Sequence, residues 1–253
     1  AYNGGHTSGN AALANSSLDL YNPLAANTDE KGSILTFSDN YFDGSNYPRT
    51  TRAAIKGGTD VVGNDARGFL SFFTNSSPAN TLSEKMRITN TGNVGIGETS
   101  PDRQLHLTGS GTNDARIKLE NTSASYYAGL VLTASAKEFH VGVGGASVAA
   151  GYANSLYIHD ATAGALRATI DTSGNVGIGT TPKAYHSDYK AIDINNSASV
   201  MGYTGNNGAW LMENLYFGTD GNWKHKNSDF SSAVEMYDGV FNFYNTASGT
   251  ADA

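Results

Sequence analysis

Apolar residues recur at every second position through most of this chain. Leu105/Leu107, Ile117/Leu119, Leu130/Leu132, Phe139/Val141/Val143, Leu156/Ile158, Ile192/Ile194 and Phe241/Phe243 all follow that spacing. Side chains two apart lie on one face of a strand, so the pattern predicts strands with one apolar face. Stretches rich in Gly, Asn, Ser and Asp separate these runs, as in all-β proteins. A sustained helical period is missing, and residues 79–87 offer at most one or two helical turns.

One alternating segment occurs twice. Gly-Asn-Val-Gly-Ile-Gly stands at Gly92–Gly97 and again at Gly174–Gly179, 82 residues later. Residues 88–99 and 170–181 agree at eight of twelve positions, whereas the stretches before them match poorly. The chain therefore reads as an array of modules sharing one hairpin, with different insertions between copies. Three modules are expected: 1–101, 102–182, and an aromatic-rich 183–253. Val94 and Ile96 point to one face, as do Val176 and Ile178. Gly95, Gly97, Gly177 and Gly179 leave the other face bare. Glycine inside a strand often marks close approach of another backbone, and three chains wound round one axis would supply it. The two Val/Ile pairs are then expected in a trimer core.

Composition points the same way. Leu, Ile, Val and Phe make up 47 of 253 residues, a small core for this length, while only 15% of residues are charged. A folded chain of this kind is expected to complete its core in an oligomer. Net charge is −7, which argues against nucleic acid, whose binding needs a positive surface. No apolar run approaches the roughly 20 residues of a membrane-spanning helix. With no cysteine, disulfides and thiolate chemistry are excluded. The chain opens at Ala1 without Met, so a processed or excised N-terminus is expected.

Candidate chemistry is sparse. The hexapeptide has the glycine order G-x-x-G-x-G without a following Lys-Ser or Lys-Thr, so it does not read as a phosphate loop. The six histidines, at 6, 106, 140, 159, 186 and 225, form no His-x-His pair. Residues 39–44 begin like a calcium loop, but Tyr41 and Thr50 occupy ligand positions three and twelve. No Gly-x-Ser-x-Gly elbow is present. No cofactor, metal or catalytic residue is expected.

Longer phrases carry a resemblance. Glu84–Pro101, which contains the first hexapeptide, resembles a signature of bacteriophage tail fibres. So do Ala54–Asp60, Gly68–Thr74, Asn214–Lys224 and Phe243–Thr250. The resemblance touches all three modules. It implies an elongated, intertwined homotrimeric β-fibre that recognises a host receptor, often with a C-terminal chaperone that cleaves itself off. No chaperone-like segment is visible in this chain. The implied partners are two further copies, other virion tail proteins, and a host surface glycan or protein. The implied location is the virion, outside the cell after lysis. A glycan-degrading tailspike and a structural fibre of the head or neck are the alternatives.

Aromatic side chains suit such recognition, because their faces stack on sugar rings. Tyr41, Phe42 and Tyr47 in a Gly/Asn-rich loop, and Tyr126 with Tyr127, are the candidate receptor contacts. The Trp210–Trp223 region could serve in the same way, but within it Tyr216–Trp223 reads rather as scaffold, because that phrase recurs as scaffold in the family it resembles.

Overall fold

The computed structural model describes residues 32–40, 49–59, 67–75, 81–109, 115–149, 151–205 and 207–252. The described residues are all-β, without a helix. Contacts divide the chain into two units, Ala1–Ile117 and Lys118–Ala253.

Unit 1 holds one six-stranded sheet in chain order. Its strands are β1 (Gly32–Asn40), β2 (Arg49–Thr59), β3 (Gly68–Asn75), β4 (Leu82–Ile88), β5 (Val94–Ile96) and β6 (Leu105–Leu107). The helical turns expected over 79–87 are corrected by β4, in which Met86 and Ile88 alternate with Lys85 and Arg87. Arg87 is buried, held by Glu84 at 2.8 Å and stacked 4.2 Å from the Phe69 ring. A charged residue at a covered strand position hides the period-two pattern.

Unit 2 continues with β7 (Tyr127–Ala134), β8 (Lys137–Gly144), β9 (Leu156–Asp160), β10 (Ala165–Ile170), β11 (Val176–Ile178) and β12 (Tyr189–Ile194). It ends with β13 (Ala198–Tyr203), β14 (Gly208–Glu213), β15 (Leu215–Phe217), β16 (Trp223–His225), β17 (Ser231–Tyr237) and β18 (Val240–Thr246). Ten of these strands form one sheet, β7 through β14 followed by β17 and β18. β15 and β16 pair separately. β17 and β18 are joined by Asp238-Gly239, both at positive φ (48° and 79°), the two-residue turn whose twist matches that of its strands.

Among the described residues every strand pairing is antiparallel except two, β5 with β6 and β11 with β12. Those two follow the two hexapeptides. Parallel neighbours normally need a crossover of a dozen or more residues; here residues 97–104 and 179–188 suffice. These pairs span Pro101 and Pro182, so the module boundaries read from the sequence fall inside sheets.

The hydrophobic core of unit 2 lies on one face of β12–β14 and β17. Met201, Trp210, Met212, Ala191 and Ala233 are covered there by Leu215, Tyr216 and Tyr185. The backbone links this cover together, with His186 N donating to Phe217 O at 3.1 Å.

Candidate assembly face and receptor surface

Each hexapeptide closes a hairpin and then folds back over itself. In the first copy Thr89 N donates to Asn93 O at 2.9 Å and Gly92 N to Thr89 O at 3.0 Å. In the second, Asp171 and Asn175 make the first of these bonds and Gly174 and Asp171 the other, each at 3.0 Å. The Asp171 carboxylate also accepts from Ser173 N and Asn175 N, at 2.9 and 2.8 Å. The side chain of Asn93 ties the hairpin to Pro101 O at 3.0 Å; that of Asn175 accepts from Ala191 N at 3.1 Å. The Asn shared by the two copies thus stitches each hairpin to the segment that follows.

The bare glycine face is occupied by the chain's own next turn. A Cβ on Gly95 would sit 2.1 Å from Glu98 O, and one on Gly177 would sit 2.1 Å from Thr180 O. Gly97 and Gly179 turn the chain back at φ +71° and +69°. A Cβ on Gly97 would meet Thr108 O, and one on Gly179 the Asn195 side chain. The close approach at these four glycines comes from within one chain.

Val94, Ile96, Val176 and Ile178 lie on the opposite face. Ile96 and Ile178 are 43% and 44% exposed, and the two valines are half-buried. They belong to continuous apolar rows. In unit 1, Leu35, Ile55, Phe72, Met86, Ile96 and Leu107 are successive cross-strand partners from β1 to β6. In unit 2 the row crosses all ten strands as Ala128, Val143, Leu156, Ile170, Val176, Ile192, Val200, Leu211, Val234 and Phe243. A second row, Leu130, Val141, Ile158, Ala168, Ile178 and Ile194, runs beside it. Ten strands at about 4.8 Å spacing make a strip about 43 Å long. Soluble monomers rarely leave apolar strips of more than a few hundred Å² bare.

The covered face is the more polar one. Along the central strands it carries Thr169, Gly177, Asp193 and Ser199 as successive partners. Asp193 and Lys226 are ion-paired and nearly inaccessible. Asp193 also accepts from Tyr185 Oη at 2.5 Å and from Lys183 N at 2.8 Å. Burial pulls the Lys226 ammonium below its ordinary pKa, opposed by the bond to Asp193. Burial and the neighbouring Asp193 charge raise the Tyr185 phenol above its usual range. The network is fully hydrogen-bonded, as buried charge must be.

Of the candidate receptor contacts, Tyr41, Phe42 and Tyr47 lie outside the described residues. Tyr126 is exposed at 63%. Tyr127 is turned onto Tyr152 and Tyr157, edge-on with centroids 5.9 and 5.6 Å away, so its ring is engaged within the unit. The Trp210–Trp223 region is part buried and part exposed. Trp210 is buried, but Trp223 is 43% exposed, 6.3 Å from Trp210 and 5.1 Å from Phe217 between centroids. Beside them Glu235 lies opposite Trp210 in the ladder and accepts from Tyr244 Oη at 2.7 Å and Asn242 Nδ2 at 3.0 Å. That bond raises the Tyr244 pKa. Glu235 and Tyr244 carry no signal in the sequence, since only strand pairing brings them to Trp210.

Among the described residues no group of three or more His, Asp or Glu is placed to hold a metal ion. No helix among them is long and apolar enough to cross a membrane. No family model matches this chain, and no curated protein matches it either.

Proposed function

We propose that this chain is a segment of a trimeric bacteriophage tail fibre that attaches the virion to a host surface. The observation that carries the reading is the apolar row crossing all ten strands of unit 2 on the face opposite the covered core. Three such faces turned toward one axis enclose a closed apolar core to which the second hexapeptide hairpin supplies Val176 and Ile178; the row of unit 1, with Val94 and Ile96, closes in the same way within its own unit. The resemblance of the hexapeptide phrases to tail fibres supports the same assembly. A stiff trimer presents each loop three times, so weak single contacts add up to firm attachment. The action on this reading is binding rather than cleavage: purified protein incubated with host polysaccharide should release no new reducing ends.

Immunogold labelling of virions with antibody to this chain tests the placement. The reading expects label on slender tail appendages; label confined to the head or neck contradicts it.

A further inference from the structure

We infer that the cleft beside Trp210 and Trp223, bounded on its other side by Glu235 and Tyr244, binds one neutral pyranose ring, an inference that rests on the attachment reading. The cleft encloses about 260 Å³ and is lined by Trp210, Leu215, Trp223, Glu235, Tyr244 and Thr246 among others. That is slightly below the range of drug-sized sites, a size for a single sugar rather than an extended ligand. Its chemistry is divided in the way a sugar is divided. The half-exposed indole of Trp223 offers a flat apolar face for the C–H face of a pyranose. Glu235 offers acceptor oxygens for hydroxyl pairs. The hydrogen bonds from Tyr244 and Asn242 both fall on Oε2 of this carboxylate; they fix its orientation while Oε1 takes none among the described residues. A carboxylate in the cleft and a net charge of −7 disfavour phosphorylated or acidic ligands and favour a donor-rich neutral polyol.

Placement on the fold supports this use. Trp210, Glu235 and Tyr244 project from the covered face of β14, β17 and β18, opposite to Leu211, Val234 and Phe243 of the apolar row. Copies packed on the apolar face therefore leave the cleft open.

The chain contains two tryptophans, and both line this cleft, so its whole indole fluorescence reports on the site. The experiment titrates the native protein with methyl α-glucoside, methyl β-galactoside, methyl α-mannoside and N-acetylglucosamine. A saturable fluorescence change with at least one is expected, with affinity in the roughly millimolar range of a single-ring contact. Trp223→Ala and Glu235→Gln should each weaken that binding at least about tenfold with the native strand content in circular dichroism retained. Absence of a saturable change with all four sugars overturns the inference. So does wild-type affinity in both variants. Adsorption to host cells separates this from the broader reading. Wild-type adsorption by Trp223→Ala would overturn the cleft and leave attachment standing; failure of the wild-type protein to adsorb, with sugar binding intact, would overturn attachment alone.

Discussion

Lys226 and Asp193 are ion-paired inside unit 2 with almost no access to water. Lys226 also donates to Ala198 O at 3.1 Å, and Asp193 is the acceptor for Tyr185 and for the Lys183 backbone. The pair thus ties the segment after β16 and the segment before β12 to one point of the sheet. Breaking a buried pair by removing one partner leaves an uncompensated charge and costs about 3–5 kcal/mol. Lys226→Met should lower stability in urea unfolding by about that amount. Adding Asp193→Asn to it should restore part of the loss, because the unpaired charge is gone and the amide Oδ1 still accepts from Lys183 N while Nδ2 donates to the Tyr185 hydroxyl oxygen. A double variant less stable than Lys226→Met alone would show that the negative charge itself is needed.

Gly95 and Gly177 are filled from within the chain, which gives their substitution a definite sign. Gly→Ala at a roomy, unstrained site stabilises by about 0.4–1 kcal/mol. Here the added methyl meets a carbonyl oxygen of the following turn, and overpacking of this kind costs about 1–3 kcal/mol. Gly95→Ala and Gly177→Ala should therefore lower the melting temperature. The loss should be independent of protein concentration, since the neighbour is intramolecular. A raised melting temperature would remove the packed turn from the account.

Ile96→Asp and Ile178→Asp test the apolar face. Both side chains are more than 40% exposed within one chain, so the isolated chain tolerates a charge there. In an assembled apolar core the same charge is unpaired and desolvated, at a cost of several kcal/mol per copy. The expected outcome is loss of assembly in sedimentation with strand content retained in circular dichroism. Intact oligomers in both variants would place these residues away from the interface.

Alternation in the sequence makes the strands and the two faces of each legible, and it puts Val94 with Ile96 and Val176 with Ile178. It does not say which face is covered. Thr169, Asp193 and Ser199 look solvent-facing in the sequence, yet they are buried; Ile192, Ile194 and Val200 look like core, yet they are exposed. The difference comes from residues 182–188 and the β15–β16 hairpin, which pack on the polar side through tertiary contacts that no local pattern encodes. The bare glycine face was readable as a place of close approach. Its occupant was not, because the path after Gly97 and Gly179 depends on their positive φ. The Trp210–Glu235–Tyr244 cleft depends on register between three strands and left no local trace.

Asp252 predicts a pH dependence. Hydrogen bonds from Lys183 Nζ (2.9 Å) and then Tyr216 Oη (2.7 Å) hold its carboxyl below the ordinary 3.8. A folded pKa below the unfolded one means that the stabilisation is present above about pH 3.8 and is lost as pH falls through the lower folded value. Acid unfolding of the wild type should therefore steepen below about pH 3.8. Asp252→Asn should be less stable at neutral pH and should lose that part of the slope. Identical acid titrations would show that Asp252 is not held by these bonds in solution.

The central claim is that the apolar rows of both units are closed by further copies of the same chain. Multi-angle light scattering on the native protein, at micromolar concentration and below, tests it directly. The account predicts a single species of three times 26.5 kDa that persists on dilution. A stable, folded species of 26.5 kDa would contradict it, because the apolar rows would then face water in the native state.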